Sequence, residues 1–144
     1  ITVPYSCIFI FETVSFYLKE KRFTLNTKYF LIPSILLAAL GIIFYEQHYT
    51  FTVSIFSAAF FIGAIIFNEK LLLSRNFWIT MIISFVPFLV VNYFLTSIPV
   101  VTYNDAAFSG KRLITIPYED FLYSFSMISL WILFYELAKN KKSE

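Results

Sequence analysis

The stretch "IPYEDFLYSF", residues 116–125, sets Glu119 and Asp120 side by side at the head of a long apolar run. Two adjacent carboxyls held away from water disfavour double ionisation, so one can keep a proton while the other is charged, as proton transfer requires. A proline at the first helical position with acids behind it is also an ordinary helix start, favoured by the macrodipole. Two features ask for more than a cap. An acid at the head of a membrane-spanning helix is costly if it faces lipid, so it is expected to face the bundle interior or a cavity. Other polar residues also arrive at the same level: Asn92 near the end of the preceding apolar run, and Asn104 and Asp105 in the connecting loop. At about 100° per residue, Glu119, Tyr123 and Ser126 share one helix face, and Asp120 is turned about a quarter circle away. The acids are therefore two differently placed groups.

The elements that must position them follow from composition. The 144 residues are 59% hydrophobic, 22% aromatic and 14% charged, with a mean hydropathy of +0.75, far from the balance of a soluble domain. An integral membrane protein is expected, with the lipid bilayer as its surroundings. The net charge of +2 is small and scattered, which argues against nucleic-acid binding. One cysteine and one histidine cannot form an internal disulfide or a metal cluster, and Cys7 reads as a small buried side chain. No dinucleotide fingerprint or phosphate-binding loop occurs, so no cofactor is expected. The predicted class is all-α, a polytopic membrane bundle of about five helices over 1–18, 29–45, 49–67, 77–95 and 117–138. Pro4, Pro33 and Pro87 lie inside or near these spans, as membrane helices tolerate.

Basic residues orient the bundle, because Lys and Arg are retained on the cytoplasmic side. Lys19, Lys21, Arg22 and Lys28 follow the first helix, Lys70 and Arg75 follow the third, and Lys139, Lys141 and Lys142 follow the fifth. Lys111 and Arg112 alone fall on the other side. A multi-pass protein of the cell membrane is predicted, with a cytoplasmic C-terminus and with "TSIPVVTYNDAAFSGKRLITI" on the outer side or folded back into that interface. Glu119 and Glu136 are then about 25 Å apart along one helix, too far to share a proton transfer. Glu136 is expected to pair with Lys139 or Asn140, Glu12 to have an interhelical partner, and His48 to be a solvated residue of the turn "EQHYT".

The chain also repeats itself. Aligning "CIFIFETVSFYLKEK" with "WILFYELAKNKK" puts Glu12 on Glu136 and a basic tail on a basic tail. Residues 1–28 are read as the last helix of a first repeat plus a cytoplasmic loop, and 29–144 as a second repeat. The expected partner is a missing N-terminal repeat of the same protein, carrying its own copy of the acid pair.

The order "FLVVNYFLT", "PVVTYN", Gly110 and "IPYEDFLY" resembles the second repeat of the membrane-integral lycopene cyclases, found as fused tandem repeats or heterodimers. The opening "ITVPYSCIFIFE" is similar to the segment after the first acid motif in the fused bacterial forms. The resemblance implies an isomerase of carotenoid biosynthesis, of the lycopene beta-cyclase type, acting on lycopene or a related linear carotenoid. An acid would protonate the terminal double bond, the next double bond would attack the resulting cation, and proton loss would set the ring. In that chemistry Glu119 and Asp120 are the catalytic carboxyls. Asn92 and Asn104 would hold the proton of Glu119, and Tyr118, Phe121 and Tyr123, with Tyr103 and Phe108, would face the cation. A small transporter or a non-catalytic membrane scaffold is the alternative. With only three glycines, the chain offers few of the helix breaks a transporter uses.

Overall fold

The computed structural model describes residues 2–98, 100–104 and 106–141, Thr2 by its backbone alone. Ile1, Asp105 and Lys142, which figure in the expectations above, lie outside the described residues. The fold is the expected all-α bundle. Its elements are α1 (Thr2–Tyr17), a 3-10 turn (Thr27–Phe30), α2 (Leu31–Ile43), α3 (His48–Phe67), α4 (Glu69–Leu73), α5 (Arg75–Ser97), a hairpin of β1 (Arg112–Leu113) and β2 (Ile116–Pro117), and α6 (Tyr118–Lys141). Three helices, α3, α5 and α6, are long and apolar enough to cross a membrane, which points to membrane association. The segments Val3–Tyr17 and Thr27–Ile43 are apolar but shorter.

Local chemistry sets the boundaries. Ser74 starts α5 by accepting a 3.1 Å bond from the Phe77 N–H, an N-cap that supplies one of the acceptors helix starts lack. Asn26 does the same for the 3-10 turn through Lys28. Several hydroxyls inside the apolar helices return to the preceding turn, as Thr52 does to His48 and Ser129 to Phe125. This removes the cost of an unpaired donor in an oily setting.

Helix α3 packs against both α2 and α6, and α1 against α5 and α6. Helices in lipid are not driven together by hydrophobicity, so close packing and interhelical hydrogen bonds must hold them. Both are present. Phe60 and Phe77 are fully buried, with ring centroids 5.6 Å apart, and Phe125 of α6 meets Phe60 edge-on at 5.5 Å. Ser34 of α2 donates to the Ala58 carbonyl of α3, and Ser57 of α3 donates to the Leu122 carbonyl of α6. Gly41 lets α2 approach α3 closely, since a Cβ there would stand 3.2 Å from the Ile55 side chain. The outer faces expose large apolar residues, among them Ile32, Leu36, Ile66 and Val86.

The segment after α1 runs alongside the start of α5. Phe23 N–H donates to Leu73 O and Arg75 N–H to Lys21 O, each at 2.9 Å. The Arg75 guanidinium and the Asn76 amide add bonds to Lys19 O and Leu18 O. This gathers Lys19, Lys21, Arg22 and Arg75 at one end of the bundle. At the other end, the hairpin pairs Arg112 with Pro117 and Leu113 with Ile116. Pro117 therefore closes a strand and α6 begins one residue later, a correction to its expected place in the first helical turn. Gly110 at φ 77° and Ile114 at φ 60° take left-handed backbone around the hairpin. Glycine does so freely, whereas a β-branched residue there is strained.

Candidate active site

Both acids of the opening motif are buried to 2% exposure, at the head of α6 where it meets the head of α3 and the 98–117 connection. Their hydrogen-bond surroundings differ. Asp120 accepts from three donors: Tyr49 Oη on Oδ1 at 2.6 Å, and Tyr103 Oη at 2.6 Å and Asn92 Nδ2 at 3.4 Å on Oδ2. Glu119 accepts twice on Oε1, from Thr50 Oγ1 and from the Ser109 N–H, both at 2.8 Å. Its Oε2 is buried without a hydrogen-bond partner among the described residues. An ionised carboxylate is an acceptor-only group, which suits the ring of donors around Asp120, whereas a protonated carboxyl carries one O–H, for which Oε2 of Glu119 has the free position.

The 98–117 connection closes the site. Asn104 Oδ1 accepts from the Ala106 N–H, an Asx turn that shapes the loop, and Tyr49 N–H donates to Ala107 O at 2.9 Å. Phe108 is 2% exposed. The Arg112 guanidinium lies 4.8 Å from the centroid of the Phe108 ring and 5.6 Å from that of Tyr103. These aromatic faces accept positive charge in this geometry. Burial first, and then the bond to Asp120, push the Tyr103 phenol above its ordinary range, so it acts as a donor.

Of the residues singled out in the sequence, Glu119, Asp120, Asn92, Tyr103 and Phe108 gather at this end. Asn92 bonds to Asp120 and not to Glu119. Asn104 is exposed and serves its own loop. Phe121 stacks on Phe85 with centroids 6.4 Å apart. Tyr118 and Tyr123 are about half exposed, and Tyr123 lines a groove between α1, α5 and α6. Tyr49, Thr50 and the Ser109 amide went unremarked in the sequence. The only signal for the first two was a pair of hydroxyl residues in the opening turn of a helix that starts at the level of the acids.

The second acidic site is distinct. Lys139 Nζ lies 2.7 Å from Glu12 Oε1, which supplies the interhelical partner expected for Glu12, and its charge also acts on Glu136. Glu12, Glu136 and Lys139 line a polar cavity of about 620 Å³ with Glu20, Arg22 and Lys70, at the end of the bundle opposite Glu119. His48 is exposed, as expected, but opens α3 instead of sitting in the turn.

No curated protein matches this chain. No solved structure matches it either. The lycopene cyclase sequence family matches residues 46–138, a span that holds both acids, every side chain bonded to them and the loop that covers them. The chain belongs to the lycopene cyclase family.

Proposed function

We propose that this chain cyclises the linear ends of lycopene, or of a related linear carotenoid, by acid-initiated isomerisation with no net redox change. Family membership supports a lycopene cyclase function and a carotenoid substrate. The observation that carries the mechanism is the unequal bonding of two adjacent buried carboxyls. Glu119 donates the initiating proton from Oε2 to the terminal double bond, leaving a tertiary cation. The π pair of the next internal double bond closes the ring. A carbon-bound proton then leaves to a base, restoring a double bond, so one proton is gained and one lost. Asp120, held by Tyr49, Tyr103 and Asn92, provides negative charge beside the cation and is the nearest candidate for the closing base. Excluding water from such a site strengthens each of these interactions and prevents capture of the cation.

In this reading the bundle crosses the membrane five times, with α1 and the Thr27–Ile43 segment as the shorter crossings. The end rich in lysine and arginine and the C-terminus face the cytoplasm. Residues 1–28 close a first repeat and 29–144 form a second, and the two repeats share the site. Expression of the full-length protein in cells that accumulate lycopene, followed by pigment analysis, tests the activity. Cyclised carotenoid is the expected product, and unchanged lycopene would overturn the reading.

A further inference from the structure

Beside the carboxyls runs a groove of about 440 Å³ between α1, α5 and α6, within the range typical of small-molecule sites. Cys7 and Ile10 form the α1 wall, and Ser84, Phe88 and Met127 lie along the α5 and α6 walls. Its upper end is Asn92, whose amide bonds to Asp120. Tyr123 and Ser124, which also line it, stand one helical turn below Glu119 and Asp120 on the same faces of α6. The groove is thus continuous with the carboxyl site. Along α5 it extends from Ser84 to Asn92, about 12 Å of helix.

Its serines are the informative residues. Ser84 is 5% exposed and Ser124 fully buried, and neither hydroxyl has a hydrogen-bond partner among the described residues. Of the four buried hydroxyls without a partner among the described residues, Ser54, Thr80, Ser84 and Ser124, only Ser84 and Ser124 line this groove. A buried hydroxyl without a partner is costly. A hydrocarbon with conjugated double bonds offers it one, because O–H groups donate weakly to π electrons.

We propose that this groove seats the reacting end of the linear polyene, with Ser84 and Ser124 donating to its π electrons and Asn92 fixing its depth against Asp120. The inference rests on the cyclase reading and adds the place and wall of the substrate. The rest of the polyene runs past the rim, where exposed Val3 and Val91 face outward, into lipid.

The test uses the full-length protein in two forms. Lycopene retained after detergent purification is measured in a Glu119→Gln background, where bound substrate is not consumed, and KM and kcat are measured with Glu119 intact. Ser84→Leu and Ser124→Leu fill the groove and are expected to lower retained lycopene and raise KM by about tenfold or more, the scale on which one or two misplaced methylenes act. The corresponding alanine variants keep the space and remove the hydroxyl, and are expected to fall between the parent and the leucine forms. Cys7→Phe intrudes from the opposite wall and gives the same loss, which decides the matter should a leucine variant fail to fold. Retained lycopene and KM equal to the parent's in the filled variants would overturn the groove assignment, as would alanine variants no better than leucine. A parent that retains lycopene but makes no ring would overturn the cyclase reading and leave the groove standing.

Discussion

Tyr49, the second residue of α3, donates a 2.6 Å hydrogen bond to Oδ1 of Asp120, the third residue of α6, across 71 positions of sequence. Tyr103 mirrors it on Oδ2 at the same distance, and the two rings lie 6.0 Å apart, roughly stacked. The carboxylate is thus gripped from two sides by phenols on separate elements. Charge-assisted bonds of this kind contribute about 1.5–3 kcal/mol each.

Tyr49→Phe and Tyr103→Phe are each expected to slow ring formation by roughly tenfold to a hundredfold, the kinetic equivalent of one such bond. The double variant should lose less than the product of the two, because both bonds serve one carboxylate. Single-turnover kinetics of the three proteins would decide this. Since Tyr103 is held above the usual phenol range, its bond should survive as pH rises through about 10. On eventual ionisation it becomes a second anion beside Asp120, and activity falls.

Glu119→Gln keeps shape and still accepts from Thr50 and Ser109 but holds no transferable proton. A loss of about 10²-fold or more in turnover is expected, the range of a removed general acid, with membrane insertion unchanged. Asp120→Asn should also reduce turnover, and its amide must additionally turn an N–H toward one of its donors. Near-normal turnover by the glutamine variant would reduce the pair to a helix cap.

Ile114 holds φ at 60° while 79% exposed, so its side chain has little to lose and its backbone much to relieve. Ile114→Asn is expected to stabilise the protein by about 1 kcal/mol, since left-handed backbone costs a non-glycine residue about 1–2 kcal/mol and asparagine visits it readily. A thermal melt in detergent that moves upward supports this, and a downward shift refutes it. Ile114→Cys at the same exposed tip should label from outside intact cells, and labelling only after the cytoplasmic face is opened would invert the orientation.

The ion pair between Glu12 and Lys139 is about half exposed on both sides, so its removal should matter little. Glu12→Gln is expected to change stability by less than about 1 kcal/mol and to leave ring formation intact. A large loss of activity would mean that the cavity at this end takes part in the reaction.

The helices were legible because runs of Phe, Ile and Leu admit few alternatives in an apolar chain. The run over 49–67 matches α3 within one residue, and that over 77–95 sits inside α5, which extends two residues further at each end. The short pieces were not legible. Helix α4 has only five residues, and the hairpin hides in a loop whose turn carries a β-branched residue at positive φ, contrary to turn chemistry. Glu119 and Asp120 announced themselves by charge in an apolar setting. Tyr49 and Thr50 did not, because hydroxyls at a helix start read as caps or interface residues until the packing of α3 on α6 is known. The same holds for Asn92, whose polarity marked it but whose choice of Asp120 over Glu119 depends on how α5 and α6 are rotated.

If the bundle crosses the membrane five times, as proposed, the serine links across α3 bear on how the protein lives in a bilayer of variable thickness. Ser34 ties α2 to the Ala58 carbonyl, and Ser57 ties α3 to the Leu122 carbonyl. Each link fixes the depth of one helix relative to the next, since a slip of one residue, about 1.5 Å along the axis, would part a donor from its carbonyl. A bilayer thinner or thicker than the helices is normally met by tilting, kinking or sliding. Sliding is closed to these three helices, so they tilt together as one rigid body. The hydroxyls at the head of α3 therefore stay level with the carboxyls at the head of α6 whatever the thickness of the surrounding lipid.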